Sequence, residues 1–137
     1  MKISEEILAE LISQACEAAA RAYCPYSKFH VGSAVLTGEG RIFAGCNVEN
    51  ASYGLTICAE RNAVFQAVAA STTPPTITTV VVYTPTLIPT APCGACRQVI
   101  NEFGPDALII CVCDGPERIQ MTLSALLPQA FGPGNLA

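Results

Sequence analysis

Residues 62–96 contain no Asp, Glu, Lys or Arg, and so long an uncharged run restricts where the segment can lie. It belongs either in a protein interior or in a membrane. Pro74, Pro75, Pro85, Pro89 and Pro92 interrupt it, and it is dense in Thr. A spanning helix needs about 20 consecutive, predominantly apolar residues. The interior is therefore the expectation, and no membrane partner is expected. Within the run, Ile77–Tyr83 is strongly β-branched and bounded by Pro75 and Pro85, which predicts a buried strand. Residues 58–70, rich in Ala and Val with Phe65, predict a buried helix.

The flanking sequence supplies the other elements. Ile7, Leu8, Leu11, Ile12, Ala15, Ala18, Ala19 and Ala22 fall on one stripe at helical spacing, with Ser4 as N-cap, so a helix is predicted over 5–22. Cys24-Pro25 stops it, because a residue before proline avoids helix. Val31–Thr37 and 41–47 flank Gly38-Glu39-Gly40 and predict a β-hairpin. Residues 47–57 predict a polar loop. A helix over 93–103, strands over 108–113 and 118–122, and a helical turn over 124–127 complete the set. The tally is an α/β fold with a mixed sheet of about five strands. A length of 137 residues predicts one domain, 1–137. Hydrophobic residues make up 51% and charged ones 13%, which excludes disorder. Seven Lys and Arg against eleven Asp and Glu give a net charge of −4, which argues against a nucleic-acid partner. Low charge with high hydrophobicity predicts apolar surface buried between subunits.

Eight cysteines need a compartment before they can be interpreted. The start, Met1-Lys2-Ile3-Ser4-Glu5-Glu6, is acidic and lacks the basic, apolar pattern of a signal peptide. A cytoplasmic location is expected, where disulfides are rare. The thiols are then free, metal-ligating or catalytic. Cys93-Gly94-Ala95-Cys96 opens a predicted helix after Pro92, and Cys58-Ala59-Glu60-Arg61 opens another. Spacing i, i+3 puts Cys93 and Cys96 on one helical face, and helix N-termini favour thiolates. A lone Cys-x-x-Cys is weak evidence, but combined with an upstream Cys-x-Glu it matches the three-cysteine zinc deaminase signature. The expected ligands to one zinc ion per chain are Cys58, Cys93 and Cys96, with Glu60 as proton carrier. Three thiolates leave surplus negative charge on a divalent cation. Arg61, with Arg97 behind it, is expected to offset that charge by donating to the ligand sulfurs.

Five ordered blocks carry a resemblance: Pro25-Tyr26-Ser27-Lys28-Phe29 with Val31-Gly32; Gly45 through Gly54; Cys58-Ala59-Glu60-Arg61; Pro92 through Gln98; and Leu126-Leu127-Pro128 with Ala130-Phe131-Gly132-Pro133. Across nearly its whole length the chain resembles the small, homotetrameric, zinc-dependent cytidine deaminases. The resemblance implies a three-layer α/β/α sandwich and hydrolysis of cytidine or deoxycytidine to the uracil nucleoside and ammonia, as in pyrimidine salvage. It implies that Asn47 and Glu49 hold the ribose hydroxyls, that Phe29 packs on the pyrimidine, and that the Ala59 N–H meets the base. It also implies that Tyr53 and Phe131 act across a subunit boundary. Cys24 and Ser33 stand where Ala is common in the family.

Other readings are weaker. A nucleoside-antibiotic deaminase, acting on a compound such as blasticidin S, shares the cysteine motifs, but the block from Asn47 to Tyr53 and the Phe131-Gly132-Pro133 tail favour cytidine. A polynucleotide deaminase would need more basic surface than Lys28, Arg61 and Arg97 give. A structural zinc site would normally be closed by four ligands, and a redox Cys-x-x-Cys would leave Cys58-Ala59-Glu60 without a purpose. His30, the only histidine, is not expected to bind metal, and Cys16, Cys24, Cys46, Cys111 and Cys113 are expected to be bystander thiols.

Overall fold

Successive side chains of a strand point to opposite faces, and along Ile77–Tyr83 both faces are apolar. A computed structural model describes residues 2–137 and places this segment in the middle of a five-stranded sheet. The strands are β1 (Gly32–Thr37), β2 (Ile42–Cys46), β3 (Ile77–Tyr83), β4 (Leu108–Val112) and β5 (Ile119–Thr122), in the order β2-β1-β3-β4-β5. β3 and β4 run parallel, with Val81 opposite Ile110, and every other pair is antiparallel. Parallel neighbours need a crossover, which α3 (Gly94–Phe103) supplies.

The alternation in β3 sorts the layers. Val81 faces α1 (Glu5–Ala20), where Leu11 and Ala15 pack with Ala34, Leu108, Ile110 and Val112. Val80 and Val82 face the other way, toward Ala63, Val64 and Ala67 of α2 (Ala59–Ala69) and Ile100 of α3. The mixed sheet is thus sandwiched between α1 on one side and α2 and α3 on the other, as expected. A short α4 (Leu123–Leu126) follows β5. Two glycines set the spacing between layers. A Cβ on Gly32 would lie 1.8 Å from the Ala15 carbonyl oxygen, and one on Gly45 would lie 2.4 Å from the Ala63 nitrogen. Both helices therefore rest directly on the strand backbone.

Four details differ from the sequence expectation. α1 ends at Ala20, two residues early. Cys58 and Cys93 are N-caps in extended conformation, just outside the helices they open. The segment 47–57 is partly ordered by bridges from Val48 to Tyr23 and Ile57, and both Tyr53–Leu55 and Pro133–Asn135 form 3₁₀ turns. Finally, the uncharged stretch is buried on both sides at the strand but not at the helix. Phe65 is 46% exposed on the outer side of α2, because a helix in an outer layer of one chain buries only one stripe. Leu87 and Ile88, beyond β3, are also exposed. No helix among the described residues is long and apolar enough to cross a membrane.

Candidate active site

Two helix N-termini, those of α2 and α3, converge on the same face of the sheet. The first N–H groups of a helix lack intrahelical partners and create positive potential. Neither helix has a side-chain oxygen capping it; a cysteine occupies each N-cap instead. Cys58, Cys93 and the buried Cys96 bring their sulfurs within 4.8 Å of one another, with Cys58 Sγ and Cys93 Sγ 3.9 Å apart. Tetrahedral zinc with bonds of about 2.3 Å would separate its sulfur ligands by about 3.8 Å. The donor set and its spacing fit such an ion.

Charge bears this out. Hydrogen bonding from Cys96, and then from Arg61 and Cys93, holds the Cys58 thiol down at about 5, against the cost of burial. Cys96 is pushed up, because it donates to Cys58 and is itself buried. Within the Cys58–Cys96 pair one thiolate is thus favoured, and a central cation is what would let both ionise. Arg61 Nη2 donates to Cys58 Sγ at 3.5 Å. Its Nε is buried with no partner among the described residues, so spare donor capacity sits beside the sulfurs.

Glu60, in the first turn of α2, is 4% exposed. Burial, with a smaller contribution from the Cys58 charge, raises its carboxyl to about 7. Such a group binds and releases a proton near neutrality. It borders a cavity of about 320 Å³, together with Cys58, Ala59, Cys93 and Phe29. A larger groove of about 530 Å³, between α1, β2 and α2, contains no metal-ligating cluster. The chemistry is in the smaller cavity.

Polar side chains line that cavity as well. Asn47 is buried; its Oδ1 accepts from Val31 N and its Nδ2 donates to the Phe29 carbonyl. Glu49 Oε1 accepts from the Tyr26 and Ser27 N–H groups, each at 3.1 Å, and Oε2 accepts from the Ser27 hydroxyl. The Ser27 hydroxyl is the main reason the Glu49 carboxyl lies below its ordinary range. One cavity is therefore lined by two of the three clustered cysteines, a buried carboxyl, an aromatic side chain and an amide–carboxylate pair.

The model of the cytidine and deoxycytidylate deaminase zinc-binding region matches residues 5–112. The chain belongs to this deaminase family. A cytidine deaminase of Sporosarcina psychrophila is 41% identical over 129 residues, 93% of each chain. One from Halalkalibacterium halodurans is 44% identical over 122 residues, 88% of this chain and 91% of that one. The crystal structure of the Burkholderia pseudomallei cytidine deaminase superposes with a TM-score of 0.85 at 44% identity, covering 94% of this chain and all of that one. That of Mycobacterium tuberculosis gives 0.73 at 39% identity, covering 91% and 97%. The family is zinc-binding, and the sulfur triad could hold such an ion.

Three expected site residues of this deaminase-family chain lie elsewhere. Tyr53 is 75% exposed in a shallow depression beside the cavity and stacks obliquely on Tyr26. Phe131 is 58% exposed, in a tail whose carbonyl at that residue accepts from Gln98 and Asn101 of α3. Arg97 departs from the expectation: it donates from Nε to the Pro92 carbonyl and from Nη1 to the Leu126 carbonyl, each at 2.8 Å, rather than to a ligand sulfur. One position after Cys96, it is turned about 100° around α3 from that ligand, and its donors go to the loop before α3 and to α4. His30 Nδ1 lies 3.3 Å from the Ala19 carbonyl oxygen, and the residue is outside the metal cluster. The sequence reading passed over Ser27, Thr56, Thr84 and Thr90, which also line the cavity. Small hydroxyl residues in turns carry no spacing signal. Only the position of Ser27 within the Pro25–Phe29 block pointed to it.

Proposed function

We propose that the chain hydrolyses cytidine and deoxycytidine at C4, so that water replaces the amino group and the uracil nucleoside and ammonia leave. The observation that carries this reading is the sulfur triad with buried Glu60 beside a cavity that Asn47 and Glu49 also line. Cys58, Cys93 and Cys96 would hold the zinc ion, which would supply Lewis acidity when bound. Glu60 accepts a proton from the attacking water, delivers it to the ring nitrogen beside C4, and carries the next one to the departing amine. The Ala59 N–H, at the open start of α2, donates to the pyrimidine, and Phe29 packs against its face. Asn47 and Glu49 orient the sugar through its hydroxyls. Arg61 tempers the charge of the thiolates.

A free nucleoside suits the cavity better than a nucleotide. No Lys or Arg is among the residues lining it, and Glu49 lies at the sugar end, so a 5′-phosphate would meet no cation. The reading extends to a homo-oligomer, a tetramer, in which Tyr53 and Phe131 complete a neighbour's cavity. Their exposure outside their own cavity supports it. A role in pyrimidine salvage in the cytoplasm follows from free nucleosides as substrates and from ligands that must stay reduced. The test is ammonia release from cytidine, deoxycytidine, cytosine, CMP and blasticidin S. Turnover of the first two is expected, and turnover confined to CMP or blasticidin S would sink the reading.

A further inference from the structure

The turn over residues 26–29 holds Glu49 with unusual completeness. A carboxylate offers about four acceptor positions. The Tyr26 N–H, the Ser27 N–H and the Ser27 hydroxyl fill three of them. Phe29 N in turn donates to Ser27 Oγ at 3.0 Å, closing a local side-chain turn. That bond occupies a lone pair of the hydroxyl and directs its proton toward Glu49. Lys28, between them, is in the left-handed region at φ 59°, and its N–H donates to the Cys24 carbonyl. The turn thus fixes both the rotor of Ser27 and the plane of the Glu49 carboxylate, leaving about one acceptor position free. Both residues line the cavity.

We infer that Ser27 is a positioning residue, which aims the Glu49 carboxylate at a single hydroxyl of the substrate sugar. This rests on the reading that the cavity takes a nucleoside by its sugar. Without the Ser27 hydroxyl the carboxylate keeps its two backbone donors but loses the bond that sets its plane. Binding weakens where the sugar has a hydroxyl to offer, while proton transfer at Glu60, with which Ser27 shares no hydrogen bond, is untouched.

The experiment is steady-state kinetics of zinc-loaded Ser27→Ala and Ser27→Thr beside the parent chain. The substrates are cytidine and 2′,3′-dideoxycytidine, which has no ring hydroxyl. For Ser27→Ala the KM for cytidine is expected to rise about tenfold with kcat within about twofold, the loss of one hydrogen bond to a charged group. For dideoxycytidine the same variant should change KM by less than about twofold. Ser27→Thr keeps the hydroxyl and should hold the cytidine KM within about threefold of the parent. An unchanged cytidine KM in Ser27→Ala, or an equal loss on both substrates, overturns the assignment. So does a Ser27→Thr protein that binds zinc but shows the alanine defect. A parent chain that turns over neither substrate overturns the nucleoside reading itself, and the Ser27 role with it.

Discussion

Glu60 is 4% exposed and lines the cavity beside two of the three thiols. Glu60→Gln keeps that volume but cannot take up a proton. Zinc content should stay near one ion per chain while kcat falls at least about 100-fold. Metal analysis beside the ammonia assay checks it, and near-parental turnover would remove Glu60 from the chemistry. On the proposed reading Arg61 serves the ligand set rather than the substrate, since its contact is with Cys58 Sγ. Arg61→Ala leaves the thiolate charge unbalanced, so zinc affinity should drop about 10–100-fold, read by competition with a chelator. At this scale the cysteines and Glu60 were legible because ligand chemistry fixes residue type and spacing together. Ser27 was not, because a turn serine has no distinguishing neighbour until the fold brings Glu49, 22 positions away, against it. Arg97 was misassigned for a related reason. Adjacency to Cys96 suggested the sulfurs, but its donors go to two backbone carbonyls.

Helix placement determines whether those residues meet. α2 carries Cys58 at its N-cap and Glu60 in its first turn, and its height above the sheet is set where Gly45 meets Ala63. A methyl group at 45 would also come within 2.9 Å of the Ala59 carbonyl oxygen, so it presses on the segment that bears the site. Gly45→Ala should cost roughly 1–3 kcal/mol of stability, measured by urea unfolding. Activity per folded molecule should fall as well, whereas full activity in the folded fraction would show that α2 tolerates the shift. α3 is secured differently, by Arg97 reaching back to Pro92 and across to Leu126. Periodicity and proline placement revealed the elements themselves and most of their limits. The N-cap status of Cys58 and Cys93 depended on backbone angles that residue patterns do not specify, and the order within 47–57 on bridges from Val48 to distant partners.

For the whole molecule, the composition leads to the expectation of apolar surface buried between subunits. Phe65, Leu87, Ile88, Tyr53 and Phe131 are exposed on a chain with few charges to keep copies apart. The sequence gives no measure of which patches meet, since that depends on shape between copies. Phe131 offers a discriminating case, because its carbonyl is tied to α3 while its ring is exposed outside the cavity of its own chain. If that ring serves a neighbour, Phe131→Ala and Glu60→Gln damage different partners of one composite site. Random co-assembly of the two variants at equal concentration would then pair an intact Glu60 with a neighbour's intact Phe131 in about a quarter of the cavities. Activity of the mixture, after unfolding and joint refolding with zinc, should therefore rise toward about one quarter of the parent's. A ring that acted within its own chain would give only the average of the two separate variants, however long they are mixed.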